Sequence, residues 1–346
     1  MRLFGRKGNA IREFWEWWAE ARPRLDKALA AGDAEALAAE ITPAVARLNP
    51  GLAWETAPGS AAPHALVLSA AGDLSLRSTT RRWLLAAPPP DATWEFRDAR
   101  PARADAAGGH VTAGGRRLDL AELVLGLRVP RNGVRVDVTA YHPVFPDLPE
   151  DARLEAAYAA LDALLGEDEV ARWIGDVAAA TAAPIDAVPA LHLPAVVADV
   201  AADVQPDQWA LMRGETGRGS PLAAMTRYPL RPVDHPLFDE HIAITLPYRT
   251  ADDEGFPTGD SLDALREFEE GLQAALGESP YDGSGSGAVL VAHTSSDRTR
   301  VFHVYADPDA SVAGALKSLV ARWPEGRGRV EAHPDPAWTA VAPFLS

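Results

Sequence analysis

The chain contains no cysteine. Without a thiol it can form no disulfide framework, no cysteine nucleophile and no thiolate-ligated zinc or iron–sulfur site. Long apolar runs are also missing, since none approaches the roughly 20 residues that a transmembrane helix needs. These absences exclude disulfide-stapled scaffolds, thiol enzymes and a helical membrane span, and they predict a soluble globular protein.

Positive charge is in short supply, because the formal net charge is −16. Such a field repels phosphate backbones and predicts a protein that binds no nucleic acid. Arg77, Arg81 and Arg82 are a candidate local basic patch that would override it. No aromatic stacking pattern or basic stripe extends this patch, so a solvated helix face is the favoured interpretation.

A secretory signal is not recognisable at the start of the chain. Residues 1–9 are short and basic, and a Trp- and Glu-bearing helix follows where a signal peptide has its apolar segment. We therefore expect a cytoplasmic protein. The alternative is a helix lying on a membrane surface, but Glu13, Glu16 and Glu20 weaken attraction to anionic lipid, which favours packing within the protein.

The length of 346 residues predicts two domains of ordinary size. We expect an α+β protein with antiparallel sheets, divided into a helical hairpin (residues 1–50), a first α+β domain (51–203) and a second (204–346). The hairpin pairs helices at residues 11–30 and 33–48. In the first domain, periodicity predicts the order βαβ–ββαβ, with strands at 64–70, 93–97, 122–129, 134–141 and 172–177 and helices at 74–87 and 154–165.

The C-terminal domain has the clearest pattern. Apolar residues alternate in residues 241–247, and an amphipathic helix follows between a cap at Asp260 and a stop at Gly277. A hairpin (288–293 and 300–305), a helix ended by Pro324 and a strand at 329–333 complete the order βαββαβ. That order is typical of a ferredoxin-like fold, and residues 208–228 predict two extra strands ahead of it.

Several motifs in this region resemble the bacterial domain-of-unknown-function family 695, from near Gln208 to the C-terminus. They are Gly255-Phe256-Pro257, Leu265, Phe268-Glu269, Thr294, Phe302, Tyr305, Pro336-x-Trp338 and Phe344. The resemblance implies a fold and no known chemistry; related architectures join this domain to one resembling the ribonuclease E inhibitor family, which implies a regulatory role. The N-terminal half, with Phe14-Trp15-x-Trp17, resembles only uncharacterised bacterial proteins.

Motifs for phosphate or metal chemistry are incomplete. Residues 283–287 alternate Gly and Ser but lack the Lys-Ser/Thr pair of a phosphate loop, and they precede a strand, so a flexible loop is favoured. Their central residue is Gly285, which excludes a nucleophile elbow. His235 and His241 lie six residues apart across a proline, unlike the four-residue spacing of zinc-binding helices. We predict no cofactor and no metal.

One candidate cluster remains. If residues 241–247 and 300–305 pair as antiparallel central strands, then His241, Thr245, His303 and Tyr305 share the sheet face opposite the helices. This face is either a ligand or acid–base site or a packed interface, and packing is favoured. The sequence predicts no reaction. The leading hypothesis is a non-enzymatic interaction or regulatory protein; the alternative is a small hydrolase or small-ligand-binding protein that uses this face.

Overall fold

The computed structural model describes residues 4–131, 133–205, 208–277, 287–310 and 312–345. The chain divides into two compact units, Met1–Gln205 and Pro206–Ser346. The glycine-rich loop predicted at residues 283–287 lies outside the described residues, except for Gly287.

The first unit mixes helices with short strands. Its elements are α1 (Phe4–Ala30), α2 (Ala34–Leu48), β1 (Ala53–Pro58), β2 (His64–Ser69), α3 (Arg77–Leu85), β3 (Trp94–Arg97), β4 (His110–Ala113), β5 (Arg116–Asp119), β6 (Val124–Arg128), β7 (Val136–Tyr141), α4 (Glu150–Leu165), α5 (Glu167–Trp173), β8 (Ile174–Ala179), β9 (Val188–Pro189) and α6 (Leu193–Asp203).

The predicted helical hairpin is present as α1 and α2. Asp33 caps α2, because its carboxylate accepts a hydrogen bond from the Ala36 N–H, which satisfies a donor that the helix leaves free. The apolar side of the hairpin packs on β1-β2-β3 in one hydrophobic core. Phe14 and Trp18 are buried there, so the aromatic face of α1 is used for packing.

The remaining strands of this unit form a second core. β8-β7-β6-β9 is a separate sheet, and α4 and α6 contribute buried residues to its hydrophobic cluster. The predicted order βαβ–ββαβ is present as β2, α3, β3 and β6, β7, α4, β8. Its two halves do not share a sheet, because β3 pairs only with β2 among the described strands. Each strand set is covered by its own helices, so each closes a core alone. Periodicity also missed β1, the β4–β5 hairpin and α5.

The described residues of the second unit form one six-stranded sheet and two α-helices, of 18 and 9 residues. Its elements are β10 (Gln208–Glu215), β11 (Pro221–Tyr228), β12 (Glu240–Pro247), α7 (Gly259–Leu276), β13 (Ala288–Ser296), β14 (Thr299–Ala306), α8 (Val312–Val320) and β15 (Arg329–Pro334). From β12 onward the element order is the predicted βαββαβ, and β10 and β11 are the two extra strands. The ferredoxin-like label itself stays a prediction.

The six strands lie in the order β10-β11-β13-β14-β12-β15, and every neighbouring pair is antiparallel. Helices α7 and α8 pack on one face, where Ile244, Phe302, Leu265 and Leu316 share a fully buried core. α7 ends at Gly277 in the left-handed conformation, as predicted. It begins at Gly259 after Thr258, so Asp260 lies in its first turn and is not the cap.

Arg77 in the first unit corrects the interpretation of the basic patch. Its side chain is buried, and its guanidinium donates to the Asp98 carboxylate at 2.8 Å and to both oxygens of Asp168 at 2.9 and 2.8 Å. Burial lowers the pKa of Arg77, but hydrogen bonds and attraction from these carboxylates outweigh that effect and raise it. Arg77 thus ties α3 to α5 across the two cores, and the solvated-face interpretation was wrong for this residue.

We expect Arg77→Ala to lower the free energy of unfolding of the first unit by about 3 kcal/mol, because Asp98 keeps a mostly buried charge without its main partner. The measurement is hydrogen exchange of the β2 amides in increasing urea. Arg81→Ala, which changes a more exposed arginine 3.5 Å from the same carboxylate, should cost clearly less. Equal losses in the two variants would contradict a special role for Arg77.

Candidate functional site

The predicted cluster lies on the sheet face opposite α7 and α8, which we call the rear face. His241 pairs with Tyr305 across β12 and β14, and Ala243 pairs with His303. Because side chains alternate along a strand, His241, Thr245, His303 and Tyr305 point to one side, as predicted. Ile242 and Ile244 point to the helices and are fully buried.

The C-terminal segment, residues 335–345, covers part of the rear face. The Trp338 ring stacks on the Tyr305 ring with centroids 3.9 Å apart, and the Trp338 indole N–H donates to the Phe238 carbonyl at 2.9 Å. Together with Val289, Val291 and Val341 these rings form a second small core. Tyr305 has 0% exposure, so it is a packed residue.

Asp335 fixes the start of this segment. Its carboxylate accepts from the Tyr305 hydroxyl at 2.6 Å, from the Thr339 N–H and hydroxyl, and from the Ala340 N–H. Burial raises the pKa of Asp335, but these donors outweigh burial and lower it, so the carboxylate is charged at neutral pH. Trp338 has a left-handed φ of 57°, a strained conformation for a bulky residue that the stack and the Asp335 hydrogen bonds hold in place.

His241 and His303 form a ring pair beside Tyr305. His241 Nε2 lies 3.1 Å from His303 Nδ1, so one neutral ring can donate to the other. Burial lowers the pKa of His303 to about 4, with a further contribution from His241, and burial also lowers the pKa of His241. Both rings are therefore neutral at pH 7 and offer hydrogen-bonding groups without charge.

The structure divides the predicted cluster into two halves. Tyr305 and His241 are buried, whereas Thr245 and His303 are half-buried, and the Phe344 ring of the C-terminal segment lies edge-on to the His303 ring with centroids 6.5 Å apart. Beside them the edge strand β15 exposes His333, which pairs with His241. The four residues of the predicted cluster therefore lie on one face of the sheet but differ in how deeply they are buried.

Sequence reasoning missed a set of polar side chains on the helix side, which we call the helix-side polar cluster. Its members are Tyr248, Glu269, His293, Ser295 and Arg300. His293 Nε2 lies 3.7 Å from Glu269 Oε2, and Arg300 Nε donates to the Ser295 hydroxyl at 3.0 Å. The His293 Nδ1 has no hydrogen-bond partner among the described atoms.

Burial perturbs the pKa of several members of the helix-side polar cluster. It raises the pKa of Glu269 and lowers that of His293 to about 3, where Arg300 also contributes. It raises the pKa of Tyr248 to about 12. A signal was available: His293, Ser295 and Arg300 occupy strand positions that face helices, where an all-apolar core would place Leu or Val.

A cavity of about 310 Å³ lies in the first unit. It is lined by residues of β3, the segment after it, and α5, including Phe96, Arg97, Arg100 and Asp168. These charged side chains already have partners: Arg97 binds Glu95, Arg100 contacts Glu55 and Asp162, and Asp168 binds Arg77. Each of these three side chains is therefore already paired with an opposite charge within the protein.

The described part of the chain lacks two further features. It contains no group of three or more His, Asp or Glu side chains arranged to hold a metal ion. Its helices include none that combines the length and apolar character of a membrane span.

Residues 227–346 match the model of a family described as a family of unknown function, DUF695. The match covers the second unit from the end of β11 onward and agrees with the resemblance seen in the sequence motifs. Comparison with curated proteins and with solved structures found no match. The rear face and the helix-side polar cluster both lie inside the matched region.

We expect Trp338→Ala to destabilise the second unit by about 3–5 kcal/mol, because a buried ring is lost together with the cover of Tyr305. Tyr305→Phe should cost about 1–3 kcal/mol, since the buried Asp335 loses a donor. Hydrogen exchange of the β14 amides in urea reports this unit. His333→Ala, at an exposed residue, is the control, and its free energy of unfolding should stay within roughly 0.5 kcal/mol of the wild type. Near-neutral results for both Trp338→Ala and Tyr305→Phe would contradict the packed interpretation.

The lowered pKa of His303 makes stability depend on pH. An unfolded histidine takes up a proton near pH 6.5, whereas folded His303 does so only near pH 4. In that window the unfolded chain binds more protons, so the free energy of unfolding falls as the pH drops from 6.5 toward 4. Urea melts should show a shallower fall for His303→Gln than for the wild type, whereas parallel curves would refute this assignment. His333→Gln controls for loss of an exposed imidazole.

Proposed function

We propose that this chain is a non-enzymatic interaction protein of the cytoplasm, and that its second unit takes up an extended segment of another polypeptide on the outer edge of β10. In this mode of recognition the added segment becomes a further strand, main-chain hydrogen bonds supply affinity, and alternate side chains supply specificity. The proposal concerns the sheet edge rather than the rear face.

The observation that carries the proposal is the character of β10. It is an edge strand of eight residues with a continuous register against β11, and no described strand pairs with its other side. Leu211 exposes 62% of its surface, beside half-buried Trp209 and Met212. An edge that is long, regular and apolar is a template for strand addition.

The strand at the opposite edge of the sheet, β15, differs from β10. β15 has six residues, ends at Pro334 and exposes the charged side chains of Arg329 and Glu331. Proline, charge and short length are the usual means by which proteins block pairing at sheet edges. Both strands expose one arginine and one glutamate, which in β10 are Arg213 and Glu215. β10 differs from β15 in its greater length, in the absence of proline and in the exposed Leu211.

Catalysis has weaker support than interaction. The cavity of the first unit is not lined by the rear face or by the helix-side polar cluster, although small-molecule sites are usually concave. Tyr305 of the rear face is engaged with Asp335, and burial is the main cause that raises its pKa. The alternative of a small hydrolase or ligand-binding protein would have to use the half-buried residues Thr245 and His303.

A peptide-display selection on the full chain tests the proposal. We expect enriched extended peptides that lose binding to Leu211→Lys, because a lysine at the centre of the edge opposes strand addition. Leu85→Lys is a matched control, since Leu85 is 61% exposed in the other unit, and it should bind as the wild type does. Peptides that bind Leu211→Lys and Thr245→Arg equally well would refute the edge; loss with Thr245→Arg alone would favour the rear face.

A further inference from the structure

We infer that the strand received by β10 is the β10 strand of a second copy of this chain, paired antiparallel about a two-fold axis at Leu211. This inference rests on the proposed function of the edge and names its partner. The contact is isologous, because the same strand serves on both sides and the assembly closes at two copies. Two six-stranded sheets would become one continuous sheet.

The side chains of β10 are divided between two faces. Leu211 pairs with Met225, Met225 with His293, and His293 with Phe302, so this row belongs to the side of α7. Trp209 and Arg213 lie two residues to either side of Leu211 and therefore share that side. Ala210 and Met212 point to the rear face.

Pairing about Leu211 is self-complementary on both faces. It sets Leu211 opposite Leu211 of the second copy, and it sets Arg213 opposite the partner's Trp209, twice by symmetry. The two leucine side chains would contact each other. The guanidinium of Arg213 would lie on the face of the partner's Trp209 indole, which attracts cations. On the rear face Ala210 meets Met212. Between residues 208 and 214 of the two strands no like charges stand directly opposite each other, which would disfavour pairing.

The present surroundings of Trp209 and Arg213 fit this arrangement. Arg227 already lies over the Trp209 ring, 5.7 Å from its centroid, so this indole already has a cation on its face. Arg213 exposes 70% of its side chain, and its guanidinium lies 3.8 Å from the Glu254 carboxylate and 5.8 Å from the centroid of the Phe256 ring. In the dimer it would exchange these two exposed contacts for the face of the partner's Trp209.

A shift of the axis by one residue to Met212 gives a poorer match. Pairing about Met212 would set Leu211 opposite Arg213 at two places and would leave the exposed leucine without an apolar partner. It would also set Trp209 opposite Glu215, and a carboxylate is repelled by the negative face of an indole ring. The sequence of β10 thus favours the Leu211 axis over the Met212 axis.

The strand contact is small, so the dimer should be weak. Stable interfaces bury at least about 1,200 Å² in total, and one pair of short strands falls below that. We therefore expect a dissociation constant in the range of about 1–100 μM, which a single-concentration measurement would miss.

Sedimentation velocity of the full chain from about 1 μM to about 500 μM covers this range. We expect the wild type to pass from monomer to dimer, Leu211→Lys to stay monomeric at every concentration, and Leu85→Lys to behave as the wild type. Because Leu211 is largely exposed, its substitution should leave the fold intact, which circular dichroism checks. A wild type that stays monomeric throughout, or a dimer that survives Leu211→Lys, would overturn the inference.

Because the chain contains no cysteine, single introduced cysteines can report the register between the two β10 strands of the dimer. Only a residue on the two-fold axis faces its own copy, so Leu211→Cys should form a disulfide-linked dimer on mild oxidation. Arg213→Cys and Met212→Cys face other residues of the second copy and should cross-link at least about tenfold less. Preferential cross-linking at 212 or 213 would overturn the proposed axis.

A peptide of residues 208–215 separates this inference from the proposed function. If the chain is monomeric but binds the peptide, and Leu211→Lys abolishes that binding, the edge accepts strands and the second copy is excluded. If the chain is monomeric and neither this peptide nor any selected peptide binds at β10, both proposals fail. Dimer formation that the peptide competes away supports both.

Discussion

Stacking of Trp338 on Tyr305, reinforced by the hydrogen bond from the Tyr305 hydroxyl to Asp335, controls how the second unit presents its sheet. A six-stranded sheet has two faces, and the two helices here cover only one. The C-terminal segment covers part of the other, and it stays there because one buried aromatic pair and one charged carboxylate with four donors hold it. What is left exposed on the rear face is therefore determined by which part of it this segment covers.

Polar groups in the second unit are buried on both sides of the sheet, but their hydrogen bonding differs. Asp335 on the rear face accepts several hydrogen bonds, which offsets the cost of burying its charge. The helix-side polar cluster is less satisfied, since the His293 Nδ1 lacks a described partner and burial lowers the pKa of Arg300. Such groups reduce stability relative to an apolar core. Leu211 of β10 lies at the other extreme, because 62% of this apolar residue is exposed to solvent.

Local patterns predicted those parts of the fold that local physics determines. Period-two alternation located β12 and β14, and it placed His241, His303 and Tyr305 on one face from the sequence alone. It could not tell which of them is buried, because the cover comes from Trp338, about 30 residues further along the chain. In the first unit, short strands such as β4 and β5 carry too few residues for a period to be recognised. The burial of Arg77 was not predicted, because its partner Asp168 lies 91 residues further along the chain.

The bulge in β13 determines how this strand would respond to the deletion of a residue. The register shifts between Leu290 and Ala292, so Leu290 and His293 both face the helices although they are three residues apart. Val291 is the extra residue, and it is packed in the small core under Trp338. Deleting Val291 would remove the bulge and leave Leu290 opposite Val304 and Ala292 opposite His303, so both halves of the strand would keep their faces. The expected loss is then confined to the packing of Val291 in the small core under Trp338, and the pairing register of the strand tolerates this deletion.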